Sequence, residues 1–129
     1  MPMTKIELGQ PWMADDKRRL VEVVHGAMVE ALKIPVHDKL IRIQEYGPGD
    51  FIVQPECSQN YVLVEICMFS GRSLDAKRKL YQLIVDGLES LGVARIDTRV
   101  VLHEVPQDNW GIRGGVPASE VNLGFKVDV

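Results

Sequence analysis

The chain has 129 residues, of which 46% are hydrophobic and 26% are charged, and these values are typical of one globular domain with a single core. Its net charge of -3 gives no positive field for nucleic acid phosphates, and no apolar run reaches the roughly 20 residues that span a bilayer. We therefore expect a single cytoplasmic domain over residues 1–129 that binds neither nucleic acid nor membrane.

Pro2 follows Met1, which methionine aminopeptidases generally remove before so small a residue. The mature chain would then begin with a free secondary amine. A chain-terminal amine titrates at about 7.7–8.0, and burial or a nearby arginine lowers its pKa further. Pro2 is therefore a candidate general acid–base catalyst near neutral pH, although proline is also common enough to occur here by chance.

The first half of the chain, residues 2–46, predicts a strand, a helix and a second strand. Met3 to Leu8 alternates apolar and polar residues, as a strand does. Pro35 ends the predicted helix, and Lys39 to Tyr46 is the predicted second strand. The apolar helix positions recur at helical spacing: Leu20, Val24, Ala27, Met28 and Ala31.

The second half, residues 61–105, repeats the first at an offset of sixty residues. The offset pairs Leu40-Ile41 with Val100-Val101, and it predicts strands at Tyr61 to Phe69 and Thr98 to Val105. Ser73 is expected to cap the intervening helix. The identical pairs include Asp15/Asp75, Lys17/Lys77, Arg18/Arg78 and Leu20/Leu80.

Two tandem β-α-β repeats predict an α+β fold with a four-stranded sheet and both helices on one face. The other face of the sheet would then be apolar and uncovered, and we expect a homo-oligomer to cover it. The linker between the repeats and the tail, residues 106–129, are expected to hold short edge strands at Phe51–Val53 and Phe125–Val127.

The sequence offers no pattern that binds a metal or a nucleotide cofactor. Cys57 and Cys67 form no CxxC pair, and His37 and His103 have no partner at metal-ligand spacing. A glycine-rich phosphate-binding motif is also absent from the sequence. We therefore expect chemistry without a cofactor.

The chain resembles the tautomerase superfamily over nearly its whole length, and within that superfamily it is most similar to the malonate semialdehyde decarboxylase group. The resemblance rests on the paired repeats and on five sites: Pro2, His25, Asp38, Gly71-Arg72-Ser73 and Trp110. It implies a homotrimer whose sites surround each mature N-terminus at a subunit boundary. It also implies chemistry on small carboxylates that bear a carbonyl, enol or vinyl group.

Arg72 and Asp38 are the expected partners of Pro2 in catalysis. Arg72 stands between a strand and a helix N-terminus, where its guanidinium suits a substrate carboxylate, or it is a solvated loop arginine. The decarboxylase group carries a second arginine two residues earlier, whereas this chain has Ser70. The resemblance implies that Asp38 holds or activates the species reacting beside the proline; the alternative is an ordinary loop aspartate.

His25, Trp110 and Arg113 are secondary candidates for substrate binding. His25 borders the buried helical stripe, where a histidine often only packs. Trp110 either walls the pocket or packs under the tail. Arg113 lies in a glycine-rich loop that can approach the site closely and replace the cation missing at Ser70.

These residues predict a cofactor-independent tautomerase in which Pro2 moves a proton while Arg72 holds the substrate carboxylate. Decarboxylase, hydratase or dehalogenase chemistry with a cationic Pro2 is the principal alternative. A third possibility is an oligomeric binding module without catalysis, which the absence of an arginine at Ser70 favours and the presence of Pro2 and Arg72 opposes.

Overall fold

The structure is a computed structural model that describes residues 2–129; Met1, whose removal the proline chemistry requires, lies outside the described residues. Each half of the chain forms one β-α-β unit, as the repeat predicts. The first unit consists of β1 (Met3–Leu8), α1 (Ala14–Leu32) and β2 (Ile41–Glu45). The second consists of β3 (Val62–Phe69), α2 (Leu74–Ser90) and β4 (Thr98–Val105).

The four long strands form one mixed sheet in the order β2-β1-β3-β4. The strands within each unit are parallel, whereas β1 and β3 pair antiparallel at the centre of the sheet. Ser73 caps α2 by accepting a hydrogen bond from the Ala76 N–H, as predicted. Neither helix in the described part of the chain has the length and apolarity that crossing a membrane requires.

Both helices pack on one face of the sheet and form the hydrophobic core with it. The buried side chains include Ile6, Leu20, Val24, Ile66 and Leu80, each with 0% of its surface exposed. The two helices also approach each other closely at Gly87. A Cβ atom at Gly87 would lie 2.3 Å from Val23 Cγ1, so a larger residue there would force the helices apart.

The repeat is less regular than the sequence offset predicts. Thr4 lies opposite Ile41, and its counterpart Val64 lies opposite Val100. Ile41 therefore corresponds to Val100 and not to Val101. The expected correspondence between the second strands of the two repeats is wrong by one residue. The cause is a connection between the first helix and its following strand that is one residue longer than in the second unit.

The two short edge strands expected at Phe51–Val53 and Phe125–Val127 are wrong, because both segments are irregular within the single chain. Neither has a neighbouring strand to complete its backbone hydrogen bonds. The tail instead forms a small hairpin of β5 (Gly111–Ile112) and β6 (Val116–Pro117). The linker packs through the rings of Tyr46, Phe51 and Tyr61, with centroid distances of 5.1 and 5.9 Å.

The sheet face away from the helices is mixed, and the expectation of an apolar face is wrong. Strand alternation places charged side chains there, such as Lys5 directly opposite Glu65. His103 Nε2 lies 2.9 Å from the Glu65 carboxylate on the same face. Apolar and polar side chains therefore share this surface, and apolar exposure alone does not require a covering partner.

Each β-α-β unit joins the first turn of its helix to the end of its second strand with an ion pair. Lys17 lies 3.1 Å from Glu45, and Lys77 lies 2.6 Å from Glu104. The Glu45 carboxylate also accepts a hydrogen bond from the Trp12 N–H at 2.6 Å. These contacts hold the pKa of Glu45 below its usual value of 4.5, and the hydrogen bond from Trp12 has the largest effect.

We expect Glu45→Gln to lower the free energy of unfolding at neutral pH by up to about 1 kcal/mol, since the pair is partly exposed and screened. The folded-state pKa of Glu45 lies below the unfolded-state value. The stabilisation is therefore fully present above about pH 4.5 and is lost as the pH falls through the folded-state pKa.

Urea unfolding of wild type and Glu45→Gln across this range measures the effect. Asp75→Asn, which removes an exposed pair within one helix, is the matched control. A difference between wild type and Glu45→Gln that does not change with pH would contradict the assignment.

Candidate active site

Four of the expected site residues lie at the border of the sheet where β1 and β2 begin and β3 and β4 end. We call this border the sheet edge. Pro2 directly precedes β1, and Asp38 lies shortly before β2. Arg72 follows the end of β3, and Trp110 follows the end of β4. The antiparallel pairing of β1 with β3 brings these separate parts of the chain to the same edge.

Pro2 is buried at this edge. Its neighbour Met3 lies opposite Cys67 near the end of β3. On the other side, the Thr4 N–H donates to the Leu40 oxygen at 3.0 Å. Pro2 is therefore placed between the end of β3 and the segment that leads into β2.

His25 forms a hydrogen bond with the segment that precedes Asp38. It is buried on α1, and its Nε2 lies 2.6 Å from the Val36 oxygen, so Nε2 carries the proton and donates. Its Nδ1 has no hydrogen-bond partner among the described residues. In this structure His25 thus contacts the loop before Asp38, and its expected contact with a substrate stays a prediction.

Arg72 is buried, with 6% of its surface exposed. Its Nη1 donates to the Phe69 oxygen at 3.2 Å, and its Nη2 donates to the Leu32 oxygen, at the end of α1, at 3.5 Å. Burial lowers the pKa of the Arg72 guanidinium, and the Glu104 carboxylate opposes that effect. Arg72 is therefore not a solvated loop residue: it joins the end of β3 to the C-terminus of α1, where a positive charge is favourable.

The N-terminus of α2 is covered by the tail. The Ser73 N–H donates to the Val129 oxygen at 2.9 Å, and a Cβ on Gly71 would lie 3.3 Å from Val127 Cγ1. Ser70, where a second arginine was expected from the resemblance, is exposed at the end of β3. A substrate anion at this helix end would have to share it with the tail.

Trp110 packs under the tail. Its ring meets Phe69 edge to face at a centroid distance of 5.0 Å, and its Nε1–H donates to the Val105 oxygen at 3.1 Å. Together with Ala118 these side chains form a second, smaller core.

Asp38 and Arg113 line the same cleft, which has a volume of about 350 Å³. Asp38 is half-buried and Arg113 is exposed. Arg113 lies at the tip of the β5–β6 hairpin with a φ of 48°, a left-handed conformation that is unfavourable for arginine. The tail hairpin thus brings a cation to the segment that precedes β2.

Sequence reasoning missed most of the lining of this cleft. The residues that complete it beside Asp38 and Arg113 are Pro35, His37, Lys39, Leu40, Leu123 and Phe125. His37 and Lys39 flank Asp38 in the sequence, which was the available signal. Leu123 and Phe125 reach the cleft only through the fold of the tail. Within residues 2–129, no cluster of three or more metal-ligating side chains occurs.

Comparison with protein families identifies the chain. Two family models described as tautomerase enzyme match residues 38–113 and residues 2–60. The chain belongs to the tautomerase family. Its paired repeats and its sheet topology are thus features of a tautomerase fold.

Three known proteins show the extent of the similarity. A probable tautomerase, YrdN of Bacillus subtilis (strain 168), is 26% identical over 116 residues, which cover 85% of this chain and 89% of that protein. A malonate semialdehyde decarboxylase structure has a TM-score of 0.79 at 26% identity, covering 87% of this chain and 92% of that chain. A fused 4-OT described as a symmetric trimer has a TM-score of 0.81 at 26% identity, covering 91% and 96%.

We expect Arg72→Ala to lower the free energy of unfolding of this protein by about 2–4 kcal/mol, because it leaves two buried main-chain oxygens without their donor. Arg72→Lys should recover part of the loss, since an ammonium group cannot reproduce the guanidinium fork. Urea unfolding measures both. The exposed Arg78→Ala is the control, and an Arg72→Ala value within about 0.5 kcal/mol of that control would contradict the packing role.

Kinetics of the same variant test whether Arg72 also binds a substrate carboxylate. A carboxylate contact predicts a larger loss of kcat/KM for an enol acid than for its ester. Equal losses on the two substrates would leave Arg72 with a packing role alone.

Proposed function

We propose that this tautomerase family member is a cofactor-independent enzyme that uses Pro2 as a general acid–base catalyst on small 2-oxo or enol carboxylates. The observation that carries the proposal is the placement of Pro2, buried at the sheet edge that also holds Arg72 and leads to the cationic cleft. The similarity to a probable tautomerase over most of both chains supports it.

In the proposed mechanism, removal of Met1 leaves Pro2 as a secondary amine with a free lone pair. The neutral amine accepts a proton from an enol hydroxyl, or from the carbon beside a carbonyl, and returns it at the other position. Oxyanion charge develops on the substrate oxygen during each transfer. A positive charge at the same sheet edge stabilises that oxyanion, and Arg72 supplies one.

Arg72 and Asp38 act on the prolyl amine in opposite directions. The buried positive charge of Arg72 disfavours the protonated amine and lowers its pKa toward neutral pH. The Asp38 carboxylate favours the ammonium form that must hand the proton back. We propose that these two charges keep both protonation states of Pro2 accessible near neutral pH, as a proton shuttle requires.

Decarboxylase or hydratase chemistry is the second candidate, favoured by the similarity to malonate semialdehyde decarboxylase at a TM-score of 0.79. A cationic Pro2 would then polarise a substrate carbonyl, with Asp38 activating water. Ser70 weighs against this candidate, because the second arginine expected from the resemblance is missing there.

We also propose that the enzyme is a homotrimer with its sites at subunit boundaries. A similar protein, the fused 4-OT, is described as a symmetric trimer. In this chain β2 and β4 are the two outer strands of the sheet, and each leaves backbone groups for a neighbouring subunit. The linker side chain Ile52 is 90% exposed, as expected for a residue that packs against another copy.

Catalysis should require the free prolyl nitrogen. We expect wild type to convert phenylenolpyruvate to its keto form. An extra residue before Pro2 should reduce kcat/KM by at least about 100-fold, because the nitrogen becomes an amide without a basic lone pair. Pro2→Ala keeps a primary amine and should retain part of the activity. Mass spectrometry verifies each N-terminus, and full activity of the extended form would exclude this mechanism.

Native mass spectrometry and sedimentation at micromolar concentration should show a species of three chains, each of 14.5 kDa. Because the sites are proposed at subunit boundaries, kcat/KM per chain should fall when dilution dissociates the trimer. A monomer with undiminished kcat/KM at every concentration would refute the trimer and the shared sites together.

A further inference from the structure

We propose that Arg113, at the tip of the tail hairpin, binds the substrate carboxylate, and that the cleft beside it selects monocarboxylates with an apolar substituent. This inference deepens the proposed function and rests on its carboxylate substrate class. It assigns the carboxylate to the tail, whereas the sequence led us to expect it at Arg72.

The two arginines differ in what their guanidinium groups can still bind. Arg72 is buried and donates to two main-chain oxygens, at 3.2 and 3.5 Å; its Nε has no partner among the described residues but is buried as well. Arg113 is exposed and donates one long hydrogen bond of 3.4 Å, to the neutral main-chain oxygen of Asn122. The guanidinium of Arg113 is therefore accessible for a two-point hydrogen bond with a carboxylate.

The backbone conformation at Arg113 is energetically unfavourable. Arg113 has a φ of 48°, and the two residues after it, Gly114 and Gly115, have φ values of 84° and 92°. Glycine adopts such values freely, but arginine does not. An arginine at a position better suited to glycine or asparagine points to a role for its side chain.

The remaining side chains of the cleft indicate the class of substrate. Lys39 and Arg113 contribute two positive charges against the single negative charge of Asp38, which leaves a net attraction for one carboxylate. Besides His37, the rest of the lining is apolar: Pro35, Leu40, Leu123 and Phe125. A second carboxylate on the substrate would lie against this apolar wall and lose its hydration, so a monocarboxylate with an apolar substituent fits best.

The kinetic test compares Arg113→Asn, Arg113→Lys and the control Lys126→Gln, which removes an exposed tail cation that does not line the cleft. Asparagine tolerates the left-handed backbone, so the first variant removes the guanidinium while preserving the hairpin. For phenylenolpyruvate, Arg113→Asn should lower kcat/KM by about 10- to 100-fold, the loss of a charge-assisted contact. Arg113→Lys should lower it less, and Lys126→Gln should stay within about twofold of wild type.

The methyl ester of phenylenolpyruvate separates binding of the carboxylate from support of the hairpin. Arg113→Asn should change kcat/KM for the ester by less than about threefold, because the ester carries no charge. An equal loss on acid and ester would show that Arg113 only holds the hairpin, and no loss on the acid would also overturn the inference.

Calorimetric binding of 3-phenylpropanoate, which does not react, tests Arg113 independently of turnover. Wild type should bind this acid at least about tenfold more tightly than Arg113→Asn does, and the neutral 3-phenylpropanamide should not distinguish them. If wild type binds the acid in this way but converts no enol acid, the proposed function fails and the Arg113 site stands. If wild type and Arg113→Asn bind the acid equally, the Arg113 site fails whatever the activity.

Discussion

The antiparallel pairing of β1 with β3 determines where every other element of this protein lies. It joins two parallel units into one sheet, so the start of the first strand lies beside the end of the third. Pro2, Arg72 and Trp110 are far apart in the sequence and reach one sheet edge for this reason. The helices stabilise the arrangement by burying the apolar face of all four strands in a common core.

Arg72 serves the fold at this edge, and we propose that it also serves the chemistry. A buried guanidinium is costly unless its hydrogen bonds are made, and the oxygens of Phe69 and Leu32 accept two of them. The same contacts connect α1 to the end of β3 and fix a positive charge between them. Substrate recognition is then better placed on exposed groups, which need not break contacts within the core to bind a ligand.

Much of the fold could be predicted from the sequence because periodicity and repetition report directly on strands and helices. The stripe from Leu20 to Ala31 and the cap at Ser73 are examples. The extra residue before β2 was not predictable, because a loop of either length carries the same apolar pattern. The site was predicted as a set of residues, but its geometry was not: the burial of Arg72 and the cleft formed with Phe125 depend on contacts between distant segments, which no local pattern encodes.

The near-twofold repeat has a consequence for how many reactive amines the fold can hold. The offset of sixty residues that relates β1 to β3 matches Pro2 with Val62, which lies at the opposite edge of the sheet. Val62 is reached through a continuous peptide chain, so its nitrogen is an amide and has no basic lone pair. Joining two β-α-β units in one polypeptide therefore leaves one chain-terminal nitrogen for every two units. At the opposite edge the linker packs its aromatic rings around Phe51.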